Sequence, residues 1–150
     1  MTRTYILILA AITLFGCKFE ENVEFRKIDN VKVESIVDGV VNLSGEADFY
    51  NPNEISGKLK SIELEVALDE KVLAKISQSN KLKIGQEALF TVPFKAQFKL
   101  EDVQDGLLSN LMNIIRGNKI KLHFRGEIKV STWGFTQKVP VEYYEEVKLQ

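Results

Sequence analysis

The chain has 150 residues and a mass of 17.1 kDa, which is the size of one domain. Twenty Lys and Arg against 21 Asp and Glu give a formal net charge of -1, and this balance argues against a dedicated nucleic-acid binder, since such proteins carry a basic excess. A single Cys and a single His exclude an internal disulfide and a Cys/His zinc cluster, so one folded domain without a metal or other cofactor is predicted.

The N-terminal segment has the pattern of a secretory signal. One Arg precedes an apolar run of ten residues that ends at Phe15, and Gly16 and Cys17 follow. A helix of this length reaches about 15 Å, half of the roughly 30 Å apolar core of a bilayer, so a transmembrane helix is not expected. The sequence Leu14-Phe15-Gly16-Cys17 resembles a bacterial lipobox, although Phe15 stands where Ala, Ser or Thr is usual. This resemblance implies a signal peptide over residues 1–16 and a lipid attached to Cys17.

Residues 17–24 are predicted to form a short charged tether between the lipid and the domain. Lys18, Glu20 and Glu21 resemble the surface-export signal of lipoproteins in the Bacteroidetes group, and the competing interpretation is a solvated linker. The expected location is the bacterial cell envelope, with the lipid in the outer membrane. The membrane, reached through the lipid on Cys17, is then the predicted partner, and both the periplasmic and the surface side stay open.

From residue 25 onward, apolar and polar residues alternate as in the strands of a half-buried antiparallel sheet. Pro93 and Pro140 lack a backbone donor and are therefore predicted on edge strands or at bulges. Turn residues such as Asp38-Gly39 and Asn51-Pro52-Asn53 separate the alternating rows. Residues 25–150 are thus predicted to form an all-β, two-sheet sandwich of about seven antiparallel strands. The rows lie at residues 31–33, 41–49, 62–68, 72–76, 88–98, 120–130 and 139–143.

One stretch departs from the period of two. Between Asp102 and Arg116 the apolar residues recur at spacings of three and four, acidic residues stand at the start, and Gly117 follows the end. This spacing predicts one helix of about fourteen residues, inserted before the strand that opens at Lys119.

Three segments carry a resemblance to a known family. They are Ala47 to Asn53 (ADFYNPN), Ile62 to Ala74 (IELEVALDEKVLA), and the stretch from Val92-Pro93-Phe94 through the predicted helix to Gly126–Val130. Their order resembles the group-two late embryogenesis abundant family, also called the water-stress and hypersensitive-response (WHy) domain, over residues 28–145. The resemblance implies an immunoglobulin- or fibronectin type III-like sandwich with one helix, and a link to desiccation or osmotic stress.

The trio Asn51-Pro52-Asn53 has a structural interpretation. Pro52 fixes φ near −65°, and the Asn51 and Asn53 side chains can bond nearby backbone groups. The trio would then end one strand and set the direction of the next. The alternative interpretation is a ligand contact.

No catalytic constellation is evident in the sequence. His123 is the single His, so it has no second His with which to form an acid–base or metal site, and it is predicted to be a solvated strand residue. Glu63 and Glu65 share a strand face about 7 Å apart, a spacing at which pairing with cations across the sheet is commoner than a catalytic carboxylate pair. The protein is therefore predicted not to be an enzyme, with neither catalytic nor metal-ligating residues.

The candidate interaction face is a cationic row on one strand. Lys121, His123, Arg125 and Lys129 share its polar phase. One interpretation is contact with anionic lipid head groups or an envelope protein. The other is pairing of these cations with acidic residues of a neighbouring strand, and the near-zero net charge favours it. The acidic residues in question are Glu63, Glu65 and Asp69.

Two functions follow from the sequence. The first is a non-enzymatic, membrane-anchored lipoprotein that protects or structures the envelope under desiccation or osmotic stress. The alternative is an envelope binding or adaptor module that recognises a protein partner or lipid.

Overall fold

The computed structural model describes residues 21–68, 71–79, 81–103, 119–132 and 134–147. Within these ranges the chain forms eight strands and no α-helix, with a short 3-10 turn at Leu100–Asp102, so the all-β prediction is confirmed. In chain order the strands are β1 Glu24–Val37, β2 Val40–Asn51, β3 Gly57–Leu68, β4 Lys71–Ser79, β5 Lys83–Ile84, β6 Ala88–Lys99, β7 Ile120–Thr132 and β8 Phe135–Val147.

The seven predicted rows correspond to β1 to β4 and β6 to β8, and β5 is an eighth strand. β5 has two residues, which pair with Gly57 and Lys58 at the start of β3, and two residues are too few to show an alternation. β1 is much longer than the predicted row at residues 31–33. Three register shifts against β2 interrupt its alternation, which is the effect of β-bulges on an edge strand.

The strands form two antiparallel sheets, one in the order β1-β2-β6 and one in the order β4-β3-β7-β8, with β5 beside the start of β3. Pro93 in β6 and Pro140 in β8 both lie on edge strands, as predicted. Asp38 and Gly39 have φ angles of 49° and 76° and form the tight turn of the β1–β2 hairpin.

The two sheets pack face to face, with β1 against β8 and β6 against β4. The apolar phase of each strand points between the sheets, because alternation places every second side chain on the same face. Phe94 of β6 and Phe124 of β7 meet across the core with ring centroids 5.6 Å apart. Gly45 makes room for Phe94, since a Cβ on Gly45 would lie 2.4 Å from the Cζ atom of that ring.

The strands of both sheets run between two ends of the sandwich, here called the tether end and the far end. The tether end contains Glu21–Val23, the β2–β3 connection, β5 and the β7–β8 turn. Hydrogen bonds join these parts, from the Glu21 N–H to Asn53 Oδ1 (2.8 Å) and from the Val23 N–H to Gln137 Oε1 (3.0 Å). The far end contains the β1–β2 turn, the start of β7 and the end of β8.

The predicted helix over Asp102–Arg116 falls almost entirely on residues 104–118, which lie outside the described residues. Asp102 closes the 3-10 turn, and Val103 is buried and extended with φ −90° and ψ 120°. An α-helix therefore does not begin at Asp102 as the spacing predicted, because Val103 packs into the core in extended form. The remainder of the helix stays a prediction.

Candidate functional site

Asn51, the last residue of β2, is fully buried at 0% exposure and makes four hydrogen bonds. Its Nδ2 donates to the carbonyl oxygens of Ile55 (2.9 Å) and Gly85 (2.7 Å). Its Oδ1 accepts from the backbone N–H (3.2 Å) and from the Nδ2 (3.0 Å) of Asn53. An amide side chain has two donor hydrogens and two acceptor lone pairs, so these bonds fill its capacity. The arrangement supports the structural interpretation of Asn51 and leaves it no group for a ligand.

Asn53 fastens the start of the described chain to the β2–β3 connection. Its Oδ1 accepts from the Glu21 N–H at 2.8 Å, and its Nδ2 donates to the Glu21 carbonyl at 2.7 Å. Its own carbonyl accepts from the Glu87 N–H at 2.9 Å. Pro52 lies half-buried between the two Asn residues. Glu21, which follows Cys17 by four residues, is thereby held at the tether end.

Glu63 and Glu65 of β3 and Arg125 and Lys129 of β7 form an ion-pair ladder on the outer face of the second sheet. Lys129 Nζ lies 2.8 Å from Glu63 Oε1, and Arg125 Nε lies 3.1 Å from Glu65 Oε2. Lys75 of β4 adds an Nζ at 3.2 Å from Glu65 Oε1. The structure thus contains the cross-strand pairs that the sequence favoured for both carboxylates. Asp69, the third proposed acidic partner, lies outside the described residues.

The ladder also sets the ionisation of its carboxyl groups. The hydrogen bond from Lys129 lowers the pKa of Glu63 below its ordinary value, and hydrogen bonds from Lys75 and Arg125 lower the pKa of Glu65 in the same way. Both groups therefore stay ionised at neutral pH. In this ionised, cation-bound form neither carboxyl group can act as the proton donor of a catalytic carboxylate pair.

His123 is largely covered, whereas the sequence predicted a solvated residue, because Tyr144 stands directly opposite on β8. The two rings are stacked with centroids 4.2 Å apart and planes 7° apart, and the His123 side chain is only 12% exposed. Glu142 Oε1 lies 3.5 Å from His123 Nε2, close enough for an electrostatic contact, but no hydrogen bond to this nitrogen forms within the described residues.

The four proposed interaction residues do not present a continuous row of free cations. Arg125 and Lys129 are engaged by the glutamates of β3, and His123 is covered. Lys121 lies over the exposed Tyr144 ring with its Nζ 4.6 Å from the centroid. Contact with a partner at this face stays a prediction, and it would depend mainly on Lys121 and Tyr144.

A groove of about 780 Å³ lies beside Gly45, over β1, β2 and β6. Lys32 and Lys95 line it together with Glu34 and Glu46, so its charged side chains balance and do not select for a ligand charge. The Oε1 atom of Gln78 at its border is buried without a hydrogen-bond partner among the described residues.

The predictions about metal binding and about a membrane-spanning helix can be compared with the described residues only. Among the described residues, no group of three or more His, Cys, Asp and Glu side chains could hold a metal ion. The same part of the chain contains no helix long and apolar enough to cross a membrane. Cys17 and the apolar run before it precede the described residues, so lipid attachment stays a prediction.

Two contacts that shape the sandwich have no local signal in the sequence. The Glu21–Asn53 hydrogen bonds join residues 32 positions apart, and no local pattern indicates them. The fit of Phe94 over Gly45 depends on the β2–β6 register, in which the two residues are directly opposite. A glycine in an apolar row signals a close approach, but its partner follows only from the strand pairing.

Solved structures share this architecture. The chain is similar to a protein from Archaeoglobus fulgidus, with a TM-score of 0.56 and 9% identity over 85% of this chain and 98% of that chain. It is also similar to a protein from Arabidopsis thaliana, with a TM-score of 0.61 and 10% identity over 91% of this chain and 90% of that chain. At these identities the likeness shows a shared fold. No curated protein matches the chain in sequence.

The sequence model of one protein family matches residues 46–143, and its description is "Late embryogenesis abundant protein" (LEA_2). The matched region begins within β2, ends within β8 and covers more than half of the chain. It includes the Asn51-Pro52-Asn53 connection and the ion-pair ladder. The chain therefore belongs to the late embryogenesis abundant family LEA_2.

Proposed function

We propose that this protein is a lipid-anchored, non-enzymatic envelope protein that protects the cell under desiccation or osmotic stress. The observation that carries the proposal is the LEA_2 match over residues 46–143. Within this family we assign the chain to the water-stress and hypersensitive-response type, with a fibronectin type III-like topology and a helix before β7. The non-enzymatic role is supported by the ion-pair ladder, in which the best-placed carboxylates are bound to cations.

The lipid anchor is proposed at Cys17. The supporting observations are the ten-residue apolar run, the small residue before Cys17, and the fixed position of Glu21 four residues later. Residues 1–16 would be removed and residues 17–24 would link the lipid to the sandwich. The proposed location is the outer membrane of a bacterial envelope.

Metabolic labelling with a fatty-acid probe tests the anchor. The wild-type protein should carry the probe, and Cys17→Ser should not, because the variant lacks the acylated sulfur. Labelling that survives the substitution would refute lipid attachment at this residue.

A deletion strain tests the protective role. Survival after drying or osmotic upshift should fall in the strain and return when the wild-type gene is restored. Cys17→Ser, expressed at the same level, should restore less survival if the protein must act at the membrane. A deletion strain that survives both stresses like its parent would refute protection.

The adaptor hypothesis depends on one surface feature. Tyr144 is 52% exposed and carries the Lys121 side chain above its ring, so this pair is open to a protein partner. Pull-down from solubilised envelope with wild-type protein and Lys121→Glu tests it, since this substitution leaves the Arg125–Glu65 pair intact. A defined partner that is captured by the wild type and lost in the variant would favour the adaptor.

A further inference from the structure

Four lysines at the tether end form a basic patch, made of Lys58, Lys60, Lys81 and Lys83. All four are exposed, and none forms an ion pair among the described residues. Lys58 and Lys83 stand directly opposite each other in the β3–β5 pairing. Like charges in this position repel, so the arrangement costs stability unless an anion neutralises it.

Large apolar side chains are exposed at the same end. Phe135, the first residue of β8, is 74% exposed, and Leu82, between two lysines of the patch, is 38% exposed. The strand registers place both at this end, since Lys58 pairs with Ser131 of β7 and Ser131 pairs with Thr136. Phe135 pairs with Thr132 and, by alternation, lies on the opposite face of the sheet from that row. Unpaired lysines and exposed aromatic and aliphatic side chains at one end of a domain are the combination that binds the surface of an anionic bilayer.

The chain leading to Cys17 leaves the sandwich at this end. Glu21 is hydrogen-bonded to Asn53, and four residues of extended chain reach at most about 14 Å. A lipid on Cys17 would therefore keep the basic patch close to the membrane surface. The closeness of the patch to a membrane rests on the proposed function, because it requires the lipid on Cys17. The charge and the exposure of the patch do not depend on that lipid.

The far end is a weaker candidate. Lys121 lies ten residues before Ser131 on β7, which places it about 33 Å from the level of the patch along the strand. Val37 is exposed there, but Lys119 is paired with Glu146 and Lys99 with Glu101. At the tether end, the exposed Glu87 lies on the loop after β5, and among the described residues it forms no ion pair with a lysine of the patch.

We propose that the tether end of the sandwich lies on an anionic lipid bilayer, with the basic patch at the head groups and Leu82 and Phe135 in the interface. The proposal assigns the membrane contact to the edge of the second sheet beside β5. The candidate face around Lys121 then points away from the same membrane.

Vesicle binding of the full chain carrying Cys17→Ser tests the patch without acylation. We expect binding to phosphatidylcholine vesicles containing about one third phosphatidylglycerol, and much weaker binding to pure phosphatidylcholine. Lys58→Gln and Lys83→Gln should each weaken the association constant about fivefold, and the double variant about 25-fold. Binding should also weaken at about 1 M NaCl, where the Debye length falls to about 3 Å.

Lys95→Gln is the matched control, because Lys95 is an exposed lysine on β6 and its substitution changes the net charge equally. All variants share the same N-terminal apolar segment, so differences between them report the patch. Far-UV circular dichroism verifies that each variant is folded. The proposal is overturned if Lys95→Gln weakens binding as much as Lys83→Gln, or if the double variant binds like its parent.

A fluorescent label tests the orientation. The chain has one Cys, so Phe135→Cys or Val37→Cys added to Cys17→Ser gives a single thiol at one end of the sandwich. An environment-sensitive dye at position 135 should shift to shorter wavelength on the anionic vesicles, and the dye at position 37 should not. A shift at position 37, or at neither position, overturns the proposal. Failure of fatty-acid labelling alone would remove the Cys17 anchor and leave these results standing.

Discussion

At the scale of single residues, the tether end depends on one buried amide. Asn51 lies on the inward phase of β2, where a polar side chain is stable only if its hydrogen bonds are made inside the protein. Its two donor hydrogens satisfy the carbonyls of Ile55 and Gly85, which belong to two different connections. Asn53 then extends the network to Glu21. The side chain thus joins the β2–β3 connection, the loop after β5 and the start of the chain.

Asn51→Ala should lower the free energy of unfolding by roughly 2–4 kcal/mol, because it removes four side-chain hydrogen bonds worth about 1 kcal/mol each. Asn51→Asp should cost at least as much, since its oxygens would face the Ile55 and Gly85 carbonyls. Pro52→Ala should cost only about 0.4–1 kcal/mol, through the entropy of the unfolded chain. Chemical denaturation measures all three. An Asn51→Ala variant as stable as Pro52→Ala would contradict the structural role of the amide.

Gly45 and Phe94 make a second prediction at this scale. Gly45→Ala should destabilise the protein by about 1–3 kcal/mol, because the new methyl group would overlap the buried Phe94 ring and force it to shift within the core. Phe94→Leu should relieve part of that cost in the double variant. Gly39→Ala is the control, because Gly39 has a φ of 76° and open space around it, so its cost should not depend on residue 94. Additive costs at positions 45 and 94 would refute the steric explanation.

At the scale of elements, the ion-pair ladder couples β3 and β7 to pH. The pKa values of Glu63 and Glu65 lie below their ordinary value of 4.5 in the folded protein. The ladder therefore stabilises the fold above about pH 4.5, and this contribution is lost as the pH falls through the lowered folded values. The thermal midpoint should fall on acidification less steeply in Glu63→Gln/Glu65→Gln than in the wild type.

The side chains of the ladder are solvent-exposed, so the difference should be small and should shrink at about 1 M salt. The pKa of each carboxyl can be followed by NMR titration. Lys129→Met should raise the pKa of Glu63 toward its ordinary value and leave Glu65 unchanged. Identical acid sensitivity in the wild type and in the double Gln variant would show that other groups control it.

The alternation of apolar residues predicted the elements well and their partners poorly. β2 and β6 are half-buried strands with an uninterrupted period of two, and their rows were evident in the sequence. The rows of β3 and β7 were evident as well, although β3 changes phase between Leu59 and Ile62 and β7 departs from the period at the exposed Gly126. The low exposure of the His123 side chain could not be predicted, because it depends on Tyr144 standing opposite in the β7–β8 register. The pairing of Glu65 with Arg125 was predicted because complementary charges on facing strands leave few other partners.

At the scale of the whole molecule, the fold predicts a strand-dominated far-UV circular dichroism spectrum. The described residues contain no α-helix, and residues 104–118 could supply at most about one tenth of the chain as helix. A measured helix content above about 40% would contradict the architecture. A small helical component that disappears when Leu107 and Leu111 are replaced by Pro would locate the predicted helix.

The direction of the strands has a mechanical consequence. β1 and β8 run the same way, since the Val23 N–H bonds to Gln137 and, further along both strands, Phe25 packs on Tyr143. The chain therefore enters at one end of the sandwich and Val147 lies at the other. A pull between an anchored N-terminus and a load at the C-terminus would act along the strands. The hydrogen bonds between neighbouring strands would then be loaded together in shear, rather than broken one after another from one end.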